Sequence, residues 1–206
     1  MAKDNEEDVI SRAIQALQNG GVIIYPTDTL YGLGVDIKND AAARRLFALK
    51  KRPENKPVPV LVDSIAMAKE YAFIDAKQEK VLGSLWPGPV TVILWKKNKI
   101  SSLVASGGQT VGLRIPASQF CINLIHAFGG AISGTSANIS GEQPSLALDP
   151  ILVQFREHAR YPDFVIDAGT LKSSPPSTVV DLTGHSPKIL RVGPVTAGQL
   201  KMILGN

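Results

Sequence analysis

The sequence predicts one compact α/β domain, covering residues 8–204, with a twisted, mixed, open sheet flanked by helices. Three observations predict it. Short apolar runs at 22–25, 58–62, 90–95, 110–115, 164–167, 178–182 and 188–192 read as strands. Between many of them lie stretches with apolar residues at helical spacing. The two kinds of element do not alternate as a clean βαβ series, and the chain carries no GxGxxG fingerprint and no Walker lysine loop, so neither a Rossmann nor a P-loop fold is expected.

Taken in order, residues 7–18 place Val9, Ile10, Ala13, Ile14 and Leu17 on one helical face, and Gly20-Gly21 supplies the stop. The run Val22-Ile23-Ile24-Tyr25 reads as a buried strand that ends at Pro26. It opens into Thr27-Asp28-Thr29, followed by Leu30-Tyr31-Gly32-Leu33-Gly34. Gly32 and Gly34 permit a tight turn or a close approach of backbone to a ligand. Asn39-Asp40 caps a helix through about Leu49, with Lys50 and Lys51 at its last turn, where positive charge is favourable. Pro59 argues that the strand at 58–62 lies at an edge or is irregular. Short helices are expected at 64–72 and 76–85. Trp86-Pro87-Gly88-Pro89 then forms a stiff connector into the strand at 90–95. Lys96, Lys97 and Lys99 sit in a polar turn, and a strand at 110–115 is closed by Pro116.

Residues 117–128 form an amphipathic helix in which Cys121 reads as core filler, and His126 has no acid beside it in sequence. Asp149-Pro150 reads as a cap and first helical residue, opening a helix to about His158. The stretch 172–177 reads as a lid-like loop. The strands at 178–182 and 188–192 should pair with each other, and a last helix runs over about 196–204.

With 44% hydrophobic and 19% charged residues, the 206-residue chain has material for a core and is not a disordered chain. The net charge of +4 is compatible with anionic substrates or RNA and selects neither. One cysteine excludes an internal disulfide and a cysteine-cluster metal site. The start of the chain is acidic and polar, unlike a secretory or transit peptide. No apolar run reaches the roughly 20 residues that cross a bilayer. A soluble, cytoplasmic protein without a membrane partner is expected.

Three polar constellations carry candidate chemistry. Lys50, Arg52 and Lys56 place three cations around a proline, a set that can neutralise a triphosphate or form a solvated loop. Ser133-Gly134-Thr135-Ser136-Ala137-Asn138 offers hydroxyl and backbone donors to an anion, or simply forms a turn. Arg114 ends an apolar strand and needs an anionic partner, either a structural ion pair or a substrate carboxylate. With Leu113 and Ile115 facing the core, strand alternation turns Arg114 toward solvent or a cleft. Thr27, Thr29 and Tyr31 offer hydroxyls to the same small polar ligand.

Five segments together resemble the YrdC/Sua5 family of L-threonylcarbamoyladenylate synthases. They are the stretch from Val22 to Gly34, Lys50-Lys51-Arg52-Pro53-Glu54-Asn55-Lys56-Pro57, Trp86-Pro87-Gly88-Pro89-Val90-Thr91, Gly112-Leu113-Arg114-Ile115-Pro116, and the run from Ser133 to Gly141. The resemblance implies an open twisted α/β sheet with a positively charged concave face. It implies condensation of L-threonine, bicarbonate or CO2, and ATP into L-threonylcarbamoyl-AMP and pyrophosphate, with Mg2+ bound through the ATP phosphates. The product would feed the t6A modification at tRNA position 37 through a downstream tRNA threonylcarbamoyl transferase complex. Carried onto this chain, the resemblance assigns Thr27, Thr29, Tyr31 and Arg114 to threonine. It assigns Lys50, Arg52, Lys56, Ser133, Thr135, Ser136, Asn138 and Arg191 to the nucleotide, with Lys50, Arg52 and Lys56 stabilising the transferring phosphate. Retention of Lys50-x-Arg52 and Ser136-x-Asn138 favours the active branch over a paralogous branch in which these motifs are eroded. With the sequence ending at Asn206, the short single-domain form is expected.

Two other readings compete. One is a double-stranded RNA- or tRNA-binding protein of the same fold without synthase activity, with weak RNA binding as a possible side property. Against it stand 6% aromatic residues and the absence of an RNP or KH motif. The other is a related adenylylating enzyme with a different amine substrate.

Overall fold

The computed structural model describes residues 5–158, 161–172 and 174–205. The chain opens with α1 (Glu6–Gln18), whose first turn carries Glu6, Glu7 and Asp8 against the positive end of the helix dipole. Its buried stripe is Ile10, Ala13 and Leu17. There follow β1 (Ile23–Pro26) and β2 (Tyr31–Gly34), an antiparallel pair in which Tyr25 stands opposite Gly32.

Gly32 and Gly34, where a tight turn or a close approach to a ligand was expected, lie within a strand and allow close packing on its neighbour. A Cβ on Gly32 would lie 2.8 Å from Tyr25 Cζ, and one on Gly34 would lie 2.9 Å from both Ile23 Cγ1 and Tyr25 Cε1. The Tyr25 ring therefore lies across both glycines. Residues of β1 are buried on both faces: Ile24 faces the larger core, while Ile23 and Tyr25 face a smaller one under α1 and α5 (Gln119–Phe128). A strand covered on both sides reads as a continuous apolar run, as this one does.

Two mixed ladders form the sheet structure. In one, the order is β7 (Thr135–Ser136), β2, β1, β8 (Phe164–Val165), with β8 parallel to β1. In the other, the order is β10 (Lys188–Arg191), β9 (Thr178–Asp181), β4 (Val90–Trp95), β5 (Thr110–Arg114), β3 (Val60–Leu61), β6 (Ile132–Ser133). The β4–β5 and β3–β6 pairs are antiparallel, and the β4–β9 and β3–β5 pairs parallel. An Asp36–Ile132 bridge links the ladders, as does Ser133, whose hydroxyl donates to Leu33 O and accepts from Val35 N. The expected mixed α/β class holds, and the expected pairing of the last two strands is observed.

Pro59 does not mark an edge. The strand after it lies between β5 and β6, but it is only two residues long. The expected strand at 164–167 is likewise shorter. The helix expected from Asp149-Pro150 begins earlier, as α6 (Leu148–Glu157), with Ala147 at the cap and Asp149 in the first turn. The remaining helices are α2 (Asp40–Lys50), capped by the Asn39 side chain on Ala41 N and Ala42 N, then α3 (Ile65–Tyr71), α4 (Ala76–Leu85) and α7 (Ala197–Leu204). Ser173 of the expected 172–177 loop, and Met1 to Asp4 of the acidic start, lie outside the described residues.

Cys121 is wholly buried, its thiol donates to Pro26 O at 3.0 Å, and burial pushes it up to about 12. Such a thiol is core filler. His126 has a partner that sequence proximity did not show, Asp63, at 3.1 Å. Among the described residues no helix is long and apolar enough to cross a membrane.

Candidate active site

The loop between β1 and β2, the ends of β5 and β10, the start of β7 and the segment after α2 converge on a cavity of about 200 Å3. Its walls include Thr27, Thr29, Tyr31, Arg52, Arg114, Thr135, Ser136 and Arg191. Ligand pockets for drug-sized molecules run from about 300 to 1,000 Å3, so this one suits an amino acid or a phosphate rather than a whole nucleotide.

The threonines organise the β1–β2 turn. Thr27 Oγ1 donates to Leu30 O at 2.7 Å and accepts from Thr29 N and Leu30 N. Its acceptor capacity is used locally, so Thr27 shapes the wall more than it offers a free hydroxyl. Thr29 Oγ1 lies 3.1 Å from Thr27 Oγ1 and accepts from Arg114 Nη1, also at 3.1 Å. The Tyr31 ring lines the cavity, but its hydroxyl donates to Gly169 O at 2.7 Å and accepts from Ala168 N at 3.0 Å. Burial raises this phenol above its ordinary value, against the Ala168 hydrogen bond. The hydroxyl thus grips the 168–169 segment and is not open to a ligand.

Arg114 forms the structural ion pair that its sequence position allowed, and it also faces the cavity. It is 6% exposed, lines the cavity, and pairs with Asp28, with Nη2 to Oδ1 at 2.5 Å. Its Nε donates to Gly88 O at 2.9 Å. Two further guanidinium groups share the cavity. Arg52 Nε and Nη2 donate to the carbonyls of Lys56 and Pro57, and burial lowers its pKa. Arg191 Nε and Nη2 donate to Ser177 O; burial first, and the Arg114 charge second, lower its pKa. Three cations around one small space favour an anionic occupant.

Lys50, Lys56, Ser133 and Asn138 do not line the cavity. Lys50 is buried at the end of α2, and its Nζ donates to Ser136 O at 2.6 Å, Asn138 O at 2.9 Å and Asn138 Oδ1 at 2.9 Å. Burial, and then the Arg52 charge, lower its pKa to about 7. Asn138 accepts from Ser136 Oγ at 2.6 Å and donates to Ile139 O and Glu142 O. Both side chains fasten the turn that presents Ser136. Ser133 is wholly buried between the two ladders, and its carbonyl accepts from Tyr25 OH at 2.7 Å. In this structure Ser133 joins the two ladders rather than lining the cavity. Lys56 is exposed, and its carbonyl rather than its ammonium meets Arg52.

Sequence reasoning missed Asp28, Ser177 and Tyr25. A signal for Asp28 was present: it is the carboxylate inside the first signature, and a buried arginine needs one. Ser177, which bonds Thr91 Oγ1 at 2.9 Å and holds Arg191, lay in a stretch with no motif. Among the described residues no group of three or more His, Cys, Asp or Glu side chains is placed to hold a metal ion.

The family model Sua5_yciO_yrdC, described as "Telomere recombination", matches residues 15–193. The chain is 30% identical to the threonylcarbamoyl-AMP synthase of Pyrococcus abyssi over 97% of its own length and 58% of the relative's. It is 33% identical to the mouse threonylcarbamoyl-AMP synthase over 85% of this chain and 63% of the relative. It thus spans about three-fifths of both proteins. Its structure superimposes on crystalline P. abyssi Sua5 complexed with L-threonine with a TM-score of 0.90 at 29% identity, covering 98% of this chain and 59% of that one. For the crystal structure of E. coli YciO the values are 0.80 and 27%, covering 93% of this chain and 92% of that one. With the sequence match running through all five signature segments and the fold shared nearly end to end, the chain belongs to the Sua5/YciO/YrdC family, whose function lies in ATP-dependent tRNA modification.

Proposed function

We propose that the protein is an L-threonylcarbamoyladenylate synthase, condensing L-threonine, bicarbonate or CO2, and ATP into L-threonylcarbamoyl-AMP and pyrophosphate. The observation that carries this reading is the cavity itself, amino-acid-sized and walled by Arg52, Arg114 and Arg191 with Thr29, Thr135 and Ser136 between them. Arg114 takes the threonine carboxylate, for which a planar fork is the matching donor. Thr29 and the wall shaped by Thr27 and Tyr31 surround the rest of the amino acid. Arg52, Ser136 and Arg191 face the phosphates, with Thr135 beside them. Lys50 and Asn138 hold Ser136 in place, and Lys56 reaches the outer phosphates from the exposed loop.

The neutral threonine amine adds to CO2 and gives up one proton to solvent, or adds to bicarbonate with a C–O bond breaking and water leaving; either route gives N-carboxythreonine. A carbamate oxygen then attacks the α-phosphorus of ATP. The new O–P bond forms as the bond to the bridging oxygen breaks, and pyrophosphate leaves with the electron pair. The residues present supply orientation and charge stabilisation, which suffice for phosphoryl-centred displacement without a covalent nucleophile. The cavity walls carry guanidinium groups and hydroxyls and no cluster of carboxylates or imidazoles among the described residues, so Mg2+ would be held by the ATP phosphates and would neutralise their charge. The adenylate then passes to a tRNA threonylcarbamoyl transferase complex in the cytoplasm for t6A formation, and residues 8–204 form the domain that carries the synthesis.

Pyrophosphate release from ATP tests the reading. It should require both L-threonine and bicarbonate. L-Serine, lacking one methyl group, should have kcat/KM lower by about 10-fold or more. Equal rates with serine, or release without bicarbonate, would contradict it.

A further inference from the structure

A guanidinium carries five N–H donors. In Arg114 three of them are taken: Nε by Gly88 O at 2.9 Å, one on Nη1 by Thr29 Oγ1 at 3.1 Å, and one on Nη2 by Asp28 Oδ1 at 2.5 Å. One N–H remains on each terminal nitrogen, on a side chain that lines the cavity. Those three acceptors come from three places, a backbone carbonyl after α4 and two side chains of the β1–β2 turn, so together they fix the plane of the group. Asp28 does not itself line the cavity, and its side chain is 12% exposed. Its carboxylate is also the counter-charge to Arg114 in a space that Arg52 and Arg191 share.

We infer that Asp28 is a positioning residue: acting through Arg114, it aims the two remaining N–H bonds at the carboxylate of the amino-acid substrate. The inference deepens the proposed function and rests on it for the identity of that substrate. Without Asp28 the guanidinium keeps its charge but loses its only carboxylate partner among the described residues, and rotates between partners. Asparagine at 28 retains an oxygen that can accept from Nη2, so it should restore much of the orientation.

Two measurements on the full chain test this. The first needs no substrate. In 15N-edited spectra the Arg114 guanidinium resonances, assigned by their loss in Arg114→Lys, should show hindered rotation in the wild type, free rotation in Asp28→Ala, and hindered rotation again in Asp28→Asn. Unchanged resonances in a folded Asp28→Ala protein would overturn the positioning role whatever the substrate is. The second is kinetic. Asp28→Ala should raise the KM for L-threonine by about 10-fold or more while moving the KM for ATP and the kcat at saturating threonine by less than about threefold, with Asp28→Asn recovering most of the loss. Equal rises in both KM values, or no recovery with asparagine, would overturn the inference. Failure of the wild type to bind L-threonine in calorimetry would instead overturn the reading of the substrate, and leave the resonances to decide the role of Asp28.

Discussion

The Lys50 ammonium donates to both the backbone carbonyl and the side-chain oxygen of Asn138, each at 2.9 Å, while a third bond reaches Ser136 O. The ammonium thereby fastens the turn that presents Ser136. Lys50 and Asn138 thus belong to one structural unit, and Arg52, two residues on, carries the direct electrostatic contact with the cavity.

Burial of Lys50 has a consequence for stability. Its pKa falls from the ordinary 10.5 to about 7, so between those values the unfolded chain binds more protons than the folded one. Stability from this group therefore rises as pH climbs through about 7, and the gain is complete near the unfolded value. Denaturant unfolding of the wild type and Lys50→Met should show a difference that is flat below pH 7 and grows in favour of the wild type from pH 7 to 10. A difference that stays flat across the range would mean that the three acceptors hold the ammonium against burial.

Gly134 lies between β6 and β7, where a Cβ would approach Leu61 Cγ to 2.7 Å. Gly134→Ala should cost about 1–3 kcal/mol, as overpacking in a filled interior does, and displace Thr135 and Ser136 from the cavity wall. Gly32→Ala should destabilise similarly through the Tyr25 ring. Chemical denaturation checks both, and wild-type stability in either variant would contradict the packing described.

Arg114→Lys tests the cavity wall directly. Lysine retains the charge but cannot span Gly88, Thr29 and Asp28 in one plane. Both functions of the arginine should suffer: the threonine KM rises by about 10-fold or more, and stability falls by roughly 1–3 kcal/mol as buried acceptors lose partners. A melt together with the KM values for threonine and ATP checks this. An unchanged threonine KM would remove Arg114 from the substrate.

Arg52→Ala and Lys56→Ala should differ. Arg52 lines the cavity and is half-buried, so its loss should lower turnover by roughly 10-fold or more. Lys56 is solvent-exposed, and its loss should cost only about 2–5-fold in kcat/KM for ATP, because an exposed cation is screened. Steady-state kinetics on both variants decide the order, and the reverse order would place the lysine nearer the reacting phosphate.

What the sequence made legible follows from the range of the forces involved. The strand through Ile23 and Ile24 and the helix capped by Asn39 are local patterns and are present, and Leu113 lies in the core while Arg114, though buried, lines the cavity. Gly32 and Gly34, which by themselves permit a tight turn or a close approach to a ligand, lie in a strand and pack against Tyr25, a ring on the neighbouring strand that local pattern does not place there. The partner of Arg114 is 86 residues away in sequence, and local pattern does not pair such groups. Ser133 and Asn138 carry polar groups that serve a ligand or a backbone equally well. Their partners in this structure, Leu33 O for Ser133 and Lys50 for Asn138, come from distant parts of the chain, and such contacts are a property of the folded chain.

The proposed reaction forms two bonds, one from threonine nitrogen to carbon supplied by bicarbonate and one from a carbamate oxygen to the α-phosphorus of ATP. Incubation with ATP, Mg2+, L-threonine and 13C-labelled bicarbonate, followed by mass spectrometry of the nucleotides, measures this most directly. The expected product is a nucleotide with the mass of threonylcarbamoyl-AMP, about one mass unit heavier than that formed from unlabelled bicarbonate. Formation of AMP or ADP alone, or an adenylate whose mass is insensitive to the label, would contradict it.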